Sequence, residues 1–227
     1  MASRQIERTV LIIAIDGGAA SGKSAVSRRV AQRVGLPFVD SGLMYRAITR
    51  VAAQRGVDSH DSEAVTRLAE SSKIQIDGER VWVDGVDLTD GIYAADQAVA
   101  LAMISSIAGV RTALVARQRE LGRDGVVMAG RDIGTVVFPH ADHKFFLVAS
   151  LNEKVRRRAA QMTRRGEKVD EEVMRNEVAA RDRSDTERSV APLRPASDAT
   201  VIDTDNLSVD DVVDLIVKQV QGVPEAE

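Results

Sequence analysis

Gly17, Gly22, Lys23 and Ser24 stand in the spacing G-x-x-x-x-G-K-[ST], between the apolar run "LIIAI" and the stretch "KSAVSRRVAQRV". That pattern holds phosphate. Glycines let successive backbone N–H groups turn inward around a β-phosphate, and the N-terminus of the following helix adds partial positive charge. Lys23 would reach the β- and γ-phosphates of a nucleoside triphosphate, and the Ser24 hydroxyl would ligate Mg2+. The expected triphosphate site is the whole loop: Gly17, Gly18, Ala19, Ala20, Ser21, Gly22, Lys23, Ser24 and Ala25. The loop does not say where the terminal phosphate goes. In a regulatory GTPase or motor-type ATPase water takes it, and in a small-molecule kinase a second ligand does. The chain lacks an N-K-x-D guanine reader, and no long relay or oligomerisation domain accompanies the core. Those absences favour the kinase.

Three further segments could hold a second anion. "DSGLMYRAITR" (residues 40–50) reads as a strand end opening a helix, where open α/β sheets bind ligands. Ser41 is expected at a cap position, donating to phosphate, with Tyr45 and Arg46 one turn later. "AGRDIGTVVFP" (residues 129–139) places Arg131 and Asp132 at the end of another buried strand. In "RDRSDTERSVAPL" (residues 181–193), Arg181, Asp185 and Arg188 fall at i, i+4 and i+7, which predicts one shared helical face. Taken singly, each segment also reads as a capped helix or an exposed ion-paired one. Only their occurrence together and in this order, through the resemblance given below, favours a second anion site.

The surrounding elements are those that would position such a site. Residues 9–15 form a continuous β-branched run, the pattern of a fully buried strand. Val26, Val30 and Val34 recur at helical spacing, Gly35 and Pro37 stop that helix, and a short strand ends at Asp40. Strand, helix and strand in so short a span make a βαβ unit and hence a parallel sheet. Residues 73–91 differ, alternating apolar and polar side chains around two Asp-Gly pairs, the signature of a small inserted antiparallel sheet. A long helix over residues 97–122, broken near Gly109, should follow. Parallel strands return at residues 125–130, 143–149 and 199–203. An Arg- and Glu-rich helical span covers residues 152–188, and "SVDDVVDLIVKQVQ" is a Ser-capped docking helix. The final "GVPEAE" is expected to fray. The fold class is α/β: a three-layer phosphate-loop fold with a central parallel sheet, helices on both faces, a small insert and an Arg-rich helical lid.

Composition narrows the function further. The 227 residues are near the upper end for one compact domain. Aromatics make up 3% and net charge is −3, so base-stacking platforms and attraction to a polyanion are not expected. No cysteine is present to form a disulfide, a thiolate metal site or a nucleophile. The N-terminus lacks the apolar core of a signal peptide, and no apolar run approaches a bilayer span. A soluble, cytoplasmic monomer without nucleic-acid or membrane partners is the expectation. The three histidines, His60, His140 and His143, fall outside the motifs and read as structural or surface residues.

"DGGAASGKS", "DSGLMYRA", "GRDIGTVVFP" and "RDRSDTERSVAPL" in this order resemble the bacterial cytidylate kinases, over residues 9–218. The resemblance implies transfer of the ATP γ-phosphate to CMP or dCMP, with Mg2+. It implies one domain over residues 1–227: a core (residues 9–40, 123–152 and 195–220), a monophosphate-binding region with the insert (41–122) and a lid (153–190). By the same resemblance Ser41, Tyr45 and Arg46 line the monophosphate site, and Arg111 with Asp132 reads the cytosine. Arg131 and Arg188 hold the acceptor phosphate, Arg181 and Asp185 lie near the sugar and phosphate, and the lid's Arg157 and Arg158 fold over ATP. Lys23, Arg131, Arg181 and Arg188 are the implied catalytic set. Three positions depart from the family pattern. Ala129 stands where an acidic residue is usual, and Ala102 where a base-contacting serine is expected, with Ser105 or Ser106 as substitutes if the helix shifts. Gly18 stands where proline is common, giving the empty loop more freedom to lose on binding.

Overall fold

Apolar, β-branched runs become the five strands of a parallel sheet in the computed structural model, which describes residues 10–164, 166 and 169–222. These are β1 (Ile12–Gly17), β2 (Phe38–Asp40), β6 (Val126–Gly130), β7 (His143–Val148) and β8 (Thr200–Asp203). Their order is β2-β6-β1-β7-β8, and every neighbouring pair is parallel. The chain leaves central β1 for one edge and later fills the other, so the switch point lies beside β1. Asp16 is paired with Gly130, Gly17 with Leu147, and Asp40 with Ala129. The register therefore brings the phosphate loop, "DSGLMYR" and "GRDIG" to one end of the sheet.

β1 starts and ends later than the apolar run suggests. Pairing decides this: β6 and β7 begin opposite Ile12 and Ile13, and Val10 is exposed. Thr9 and the terminal "VPEAE" lie outside the described residues. Along β1, Ile13 and Ile15 join the core beneath α1 (Lys23–Val34) and α8 (Val209–Val220), through Val26, Val30, Val213 and Ile216. Ala14 faces the other way, into a core with Val39, Met128 and Ile133. Fully burying one such aliphatic side chain contributes about 1.5–3 kcal/mol. α8 carries the expected serine cap, with Ser208 and Asp211 forming a capping box.

Residues between β2 and β6 build a core of their own. α2 (Ser41–Gln54), α3 (Ser62–Ser71), α4 (Ala98–Ser106) and α5 (Ala108–Leu121) pack around Leu43, Ile48, Val65, Ile104 and Leu114. The insert is a three-stranded antiparallel sheet of β3 (Ile74–Asp77), β4 (Arg80–Val83) and β5 (Val86–Asp87), turning at the two Asp-Gly pairs. Gly78 at its first turn bridges Val39 and so covers the exposed edge of β2. The expected break in residues 97–122 falls at Ile107, where α4 and α5 meet at 84°. Gly109 has a separate role. A Cβ there would lie 2.5 Å from Thr66, so glycine permits the close approach of α5 to α3.

The charged span forms two helices, α6 (Leu151–Arg164) and α7 (Glu171–Glu187), joined by a small core of Val155, Met174 and Val178. No single described helix is long and apolar enough to cross a membrane.

Candidate active site

The phosphate loop leaves β1 through Ala20 and Gly22, both with left-handed φ (55° and 88°). Gly22 is the N-cap of α1 and offers no side-chain cap, so the first N–H groups of the helix are left for an anion. Lys23 is buried, and its ammonium donates to the Gly18 carbonyl at 2.9 Å. Burial lowers the Lys23 pKa to about 7; Arg131 and Arg181 push the same way, while Asp40 and Asp185 oppose them. The Ser24 hydroxyl donates to Asp40 Oδ2 at 2.7 Å. Two hard oxygens thus sit side by side at the loop, a donor set that fits Mg2+ shared with phosphate oxygens.

Arg157 closes over the loop. Its guanidinium donates to Ser21 O at 3.1 Å and Thr204 O at 2.6 Å, and Glu153 fixes its Nε at 2.7 Å. Arg158 donates to Gln161 Oε1 at 3.0 Å. Both line a cavity of about 390 Å³ with Ala20, Gly22, Gln161 and Arg164. The expected triphosphate loop and the expected lid arginines therefore share one cavity wall.

Gly18 carries a contact that the sequence did not disclose. Lys154 of α6 and Asp182 of α7 form an ion pair of 2.6 Å directly above it. A Cβ on Gly18 would come within 2.9 Å of Asp182 Oδ1 and 3.2 Å of Lys154 Nζ. Gly18→Pro should tighten ATP binding about two- to fivefold, the effect of restricting the unbound loop. Titration calorimetry with ATP checks this, and an unchanged or weaker affinity overturns it.

On the acceptor side, the capping expectation for Ser41 is corrected. Asp40 is the N-cap of α2, accepting from Gly42 N–H at 2.9 Å, and Ser41 follows it as the first helical residue. Its buried hydroxyl donates to Ala129 O at 2.9 Å and ties α2 to β6. Tyr45 is buried beneath Arg111, whose guanidinium lies 5.4 Å from the ring centroid. Arg46 lies 4.8 Å over the Tyr93 ring. Arg111 pairs with Asp132 at the end of β6, and Arg131 beside it pairs with Asp185 of α7. Burial, with Arg131 and Arg46 nearby, lowers the Arg181 pKa to about 10. Cations are packed here more tightly than their local partners neutralise, the condition expected before a polyanion binds.

Arg188 is the second correction. α7 ends at Glu187, and Arg188 is extended (φ −60°, ψ 139°), so it leaves the helical face that Arg181 and Asp185 share. The chain then turns through Ala191, whose φ is 51°. Arg188 Nε donates to Ala191 O at 2.6 Å, and its Nη2 lies 3.9 Å from Asp132 Oδ1. That Nη2 is buried without a hydrogen bond among the described residues. The Ser105 and Ser106 hydroxyls donate to Ala102 O at 3.1 Å and Met103 O at 2.6 Å in their own helix, and the Ser105 carbonyl accepts from Arg111 Nη1 at 3.1 Å. The histidines stay away from the site: exposed His60 meets Asp58, and His143 stacks on Phe145.

Comparison with known proteins agrees with this geometry. A family model described as cytidylate kinase matches residues 13–222. A cytidylate kinase of Anoxybacillus flavithermus is 44% identical over 92% of this chain and 95% of its own length. A bifunctional pantoate ligase/cytidylate kinase of a Synechococcus species is also 44% identical over 91% of this chain, which spans only 40% of that protein. A crystal structure of an uncharacterised Eubacterium ventriosum protein shares the fold, with a TM-score of 0.50 at 16% identity over 93% of this chain and 98% of its own. With the family model covering all but the ends, this chain belongs to the cytidylate kinase family.

Proposed function

We propose that the chain transfers the γ-phosphate of ATP to CMP or dCMP, giving CDP or dCDP and ADP. One observation carries the reading. A phosphate loop with a buried lysine and an arginine cluster that carboxylates only partly pair stand at the same end of one sheet. The relatives named cytidylate kinase support the choice of acceptor.

The proposed chemistry is positioning and charge neutralisation. A nucleoside monophosphate carries close to two negative charges at neutral pH, since its second pKa is near 6. Its oxyanion is already a nucleophile, and no strong general base is required. The barrier is the approach of two polyanions in line, which Lys23, Arg131, Arg181 and Arg188 would lower by holding both phosphate groups. Tyr45, Arg46 and Asp185 would line the acceptor, Ser41 would fix α2 against β6, and Arg111 with Asp132 would read the base. Ser24 and Asp40 would hold Mg2+, which when bound supplies charge neutralisation across the β- and γ-phosphates. α6 and α7 are read as the lid over ATP, residues 41–122 as the monophosphate-binding region, and the rest as the core. Arg157 and Arg158 exclude water from the donor side. The same reading takes the enzyme as a cytoplasmic monomer whose partners are its two small substrates.

The test is ADP release with ATP and a panel of CMP, dCMP, UMP, AMP and shikimate. CMP and dCMP are expected to be the best acceptors. A better rate with another member reassigns the acceptor, and ADP release independent of any acceptor would identify a nucleotide-gated ATPase instead.

A further inference from the structure

Asp16 is a buried carboxylate that the proposed transfer does not use. It is the next-to-last residue of β1, immediately before the phosphate loop, on the strand face opposite Ile15. Its Oδ1 accepts from Ile133 N–H and its Oδ2 from Gly134 N–H, each at 2.8 Å. Those are the first two N–H groups of a single π-helical turn, Ile133–Val137, that follows "GRD".

Asp132 is the N-cap of that turn (φ −147°, ψ 25°), yet its side chain makes no cap hydrogen bond. An aspartate in that position ordinarily accepts from the N–H of the second or third residue of the turn. Here the second N–H, that of Gly134, is already taken by Asp16. The Asp132 carboxylate is left to meet Arg111, with Arg188 Nη2 at 3.9 Å. Charge acts in the same sense, since Asp16 and Asp132 repel, and burial with that repulsion raises the Asp16 pKa to about 6 against the pull of the two N–H groups. Ionised at neutral pH, Asp16 has both oxygens available as acceptors. A Cβ on Gly134 would press on the Lys144 side chain at 3.3 Å and lie in ordinary contact with Asp16 Oδ2 at 3.5 Å.

We propose that Asp16 is a positioning residue: it caps the turn in place of Asp132 and so keeps the Asp132 carboxylate turned toward the acceptor base. The proposal rests on the reading of Arg111 and Asp132 as the base-reading pair. It also ties the foot of the donor loop to acceptor recognition through one side chain.

The test compares Asp16→Asn and Asp16→Ala enzymes with the wild type, using whichever acceptor the wild type prefers. That choice separates failure of this proposal from failure of the cytidylate reading. Asparagine keeps one acceptor oxygen for the turn, whereas alanine keeps none and so leaves the Gly134 N–H, the capping donor, open to Asp132. Asp16→Asn should raise the acceptor KM about tenfold, the scale of losing one charge-assisted hydrogen bond, with a larger rise for Asp16→Ala. The ATP KM should stay within about twofold, since the loop backbone contributes its own donors. Discrimination between CMP and UMP should shrink in the same order. In an Asp132→Asn background, Asp16→Asn should add no further rise. Asp16→Asn is isosteric and keeps one of the two hydrogen bonds, so it carries the test if Asp16→Ala does not fold. Equal rises in both KM values, an unchanged acceptor KM, or the same fold-rise in the Asp132→Asn background would overturn the proposal.

Discussion

Replacing Lys23 by alanine is expected to lower kcat by about 10²–10³, the typical cost of one preorganised electrostatic donor, and to leave the fold intact. Lys23 is buried, its ammonium is held on the Gly18 carbonyl, and it lies within the field of Arg131 and Arg181. Such an ammonium does little for the empty protein and much for a polyphosphate. Steady-state ADP release and a thermal melt check both halves of the expectation. A tenfold loss or less in a folded protein removes Lys23 from the catalytic set.

The same burial gives Lys23 a pH signature. With its pKa lowered from 10.5 to about 7, the folded empty protein releases a proton that the unfolded chain retains up to about 10.5. Stability of the nucleotide-free protein should therefore rise with pH across that window, because the unfolded state binds more protons there. ATP reverses the local field and raises the lysine pKa, so binding at pH 8 should take up about one proton. Calorimetry in two buffers of different ionisation enthalpy measures that uptake. Lys23→Ala should abolish it.

The parts of this fold legible in the sequence were those fixed by local periodicity and turn chemistry. Val26, Val30 and Val34 mark α1, and Gly35 ends it with φ 70°, as a C-terminal glycine should. The alternation around the two Asp-Gly pairs gave the insert, because a strand with one buried face must alternate. The parallel sheet followed from the βαβ unit. What escaped depends on approach between distant segments. Asp16 reads as an ordinary strand end until Ile133 and Gly134 reach it from 117 and 118 residues away. Asp40 shares the Ser24 hydroxyl only because β2 lies beside β6 rather than β1. Lys154 and Asp182 read as solvated helix charges until α6 and α7 lay them over Gly18. α3 had one local signal, Asp61 accepting from Ala64 N–H, and three buried apolar side chains, too few to stand out by period. The i+7 spacing of Arg188 misled because spacing specifies a face only while the helix continues, and the chain leaves α7 one residue earlier.

That helix end makes Arg188→Ala the second large effect. Inside α7, Arg188 would have paired along the helix surface, where ion pairs contribute a few tenths of a kcal/mol. Extended instead, it is buried with Nε on Ala191 O and Nη2 unbonded. An unsatisfied buried donor costs about 1–3 kcal/mol in the empty protein, and an arriving anion recovers it. Burial and the neighbouring Arg111 lower the Arg188 pKa, which an acceptor phosphate would raise again. kcat/KM for CMP should fall about 10²–10³ in Arg188→Ala, with kcat carrying part of the loss. Melting temperature should change little, since the unbonded Nη2 goes together with the hydrogen bond to Ala191 O, and Asp132 keeps Arg111. Arg188→Lys should recover little, because an ammonium cannot hold the Ala191 carbonyl and present a second donor in the guanidinium's fixed plane. A tenfold loss or less in folded Arg188→Ala, or full recovery in Arg188→Lys, would reduce Arg188 to a structural clasp on the turn through Ala191.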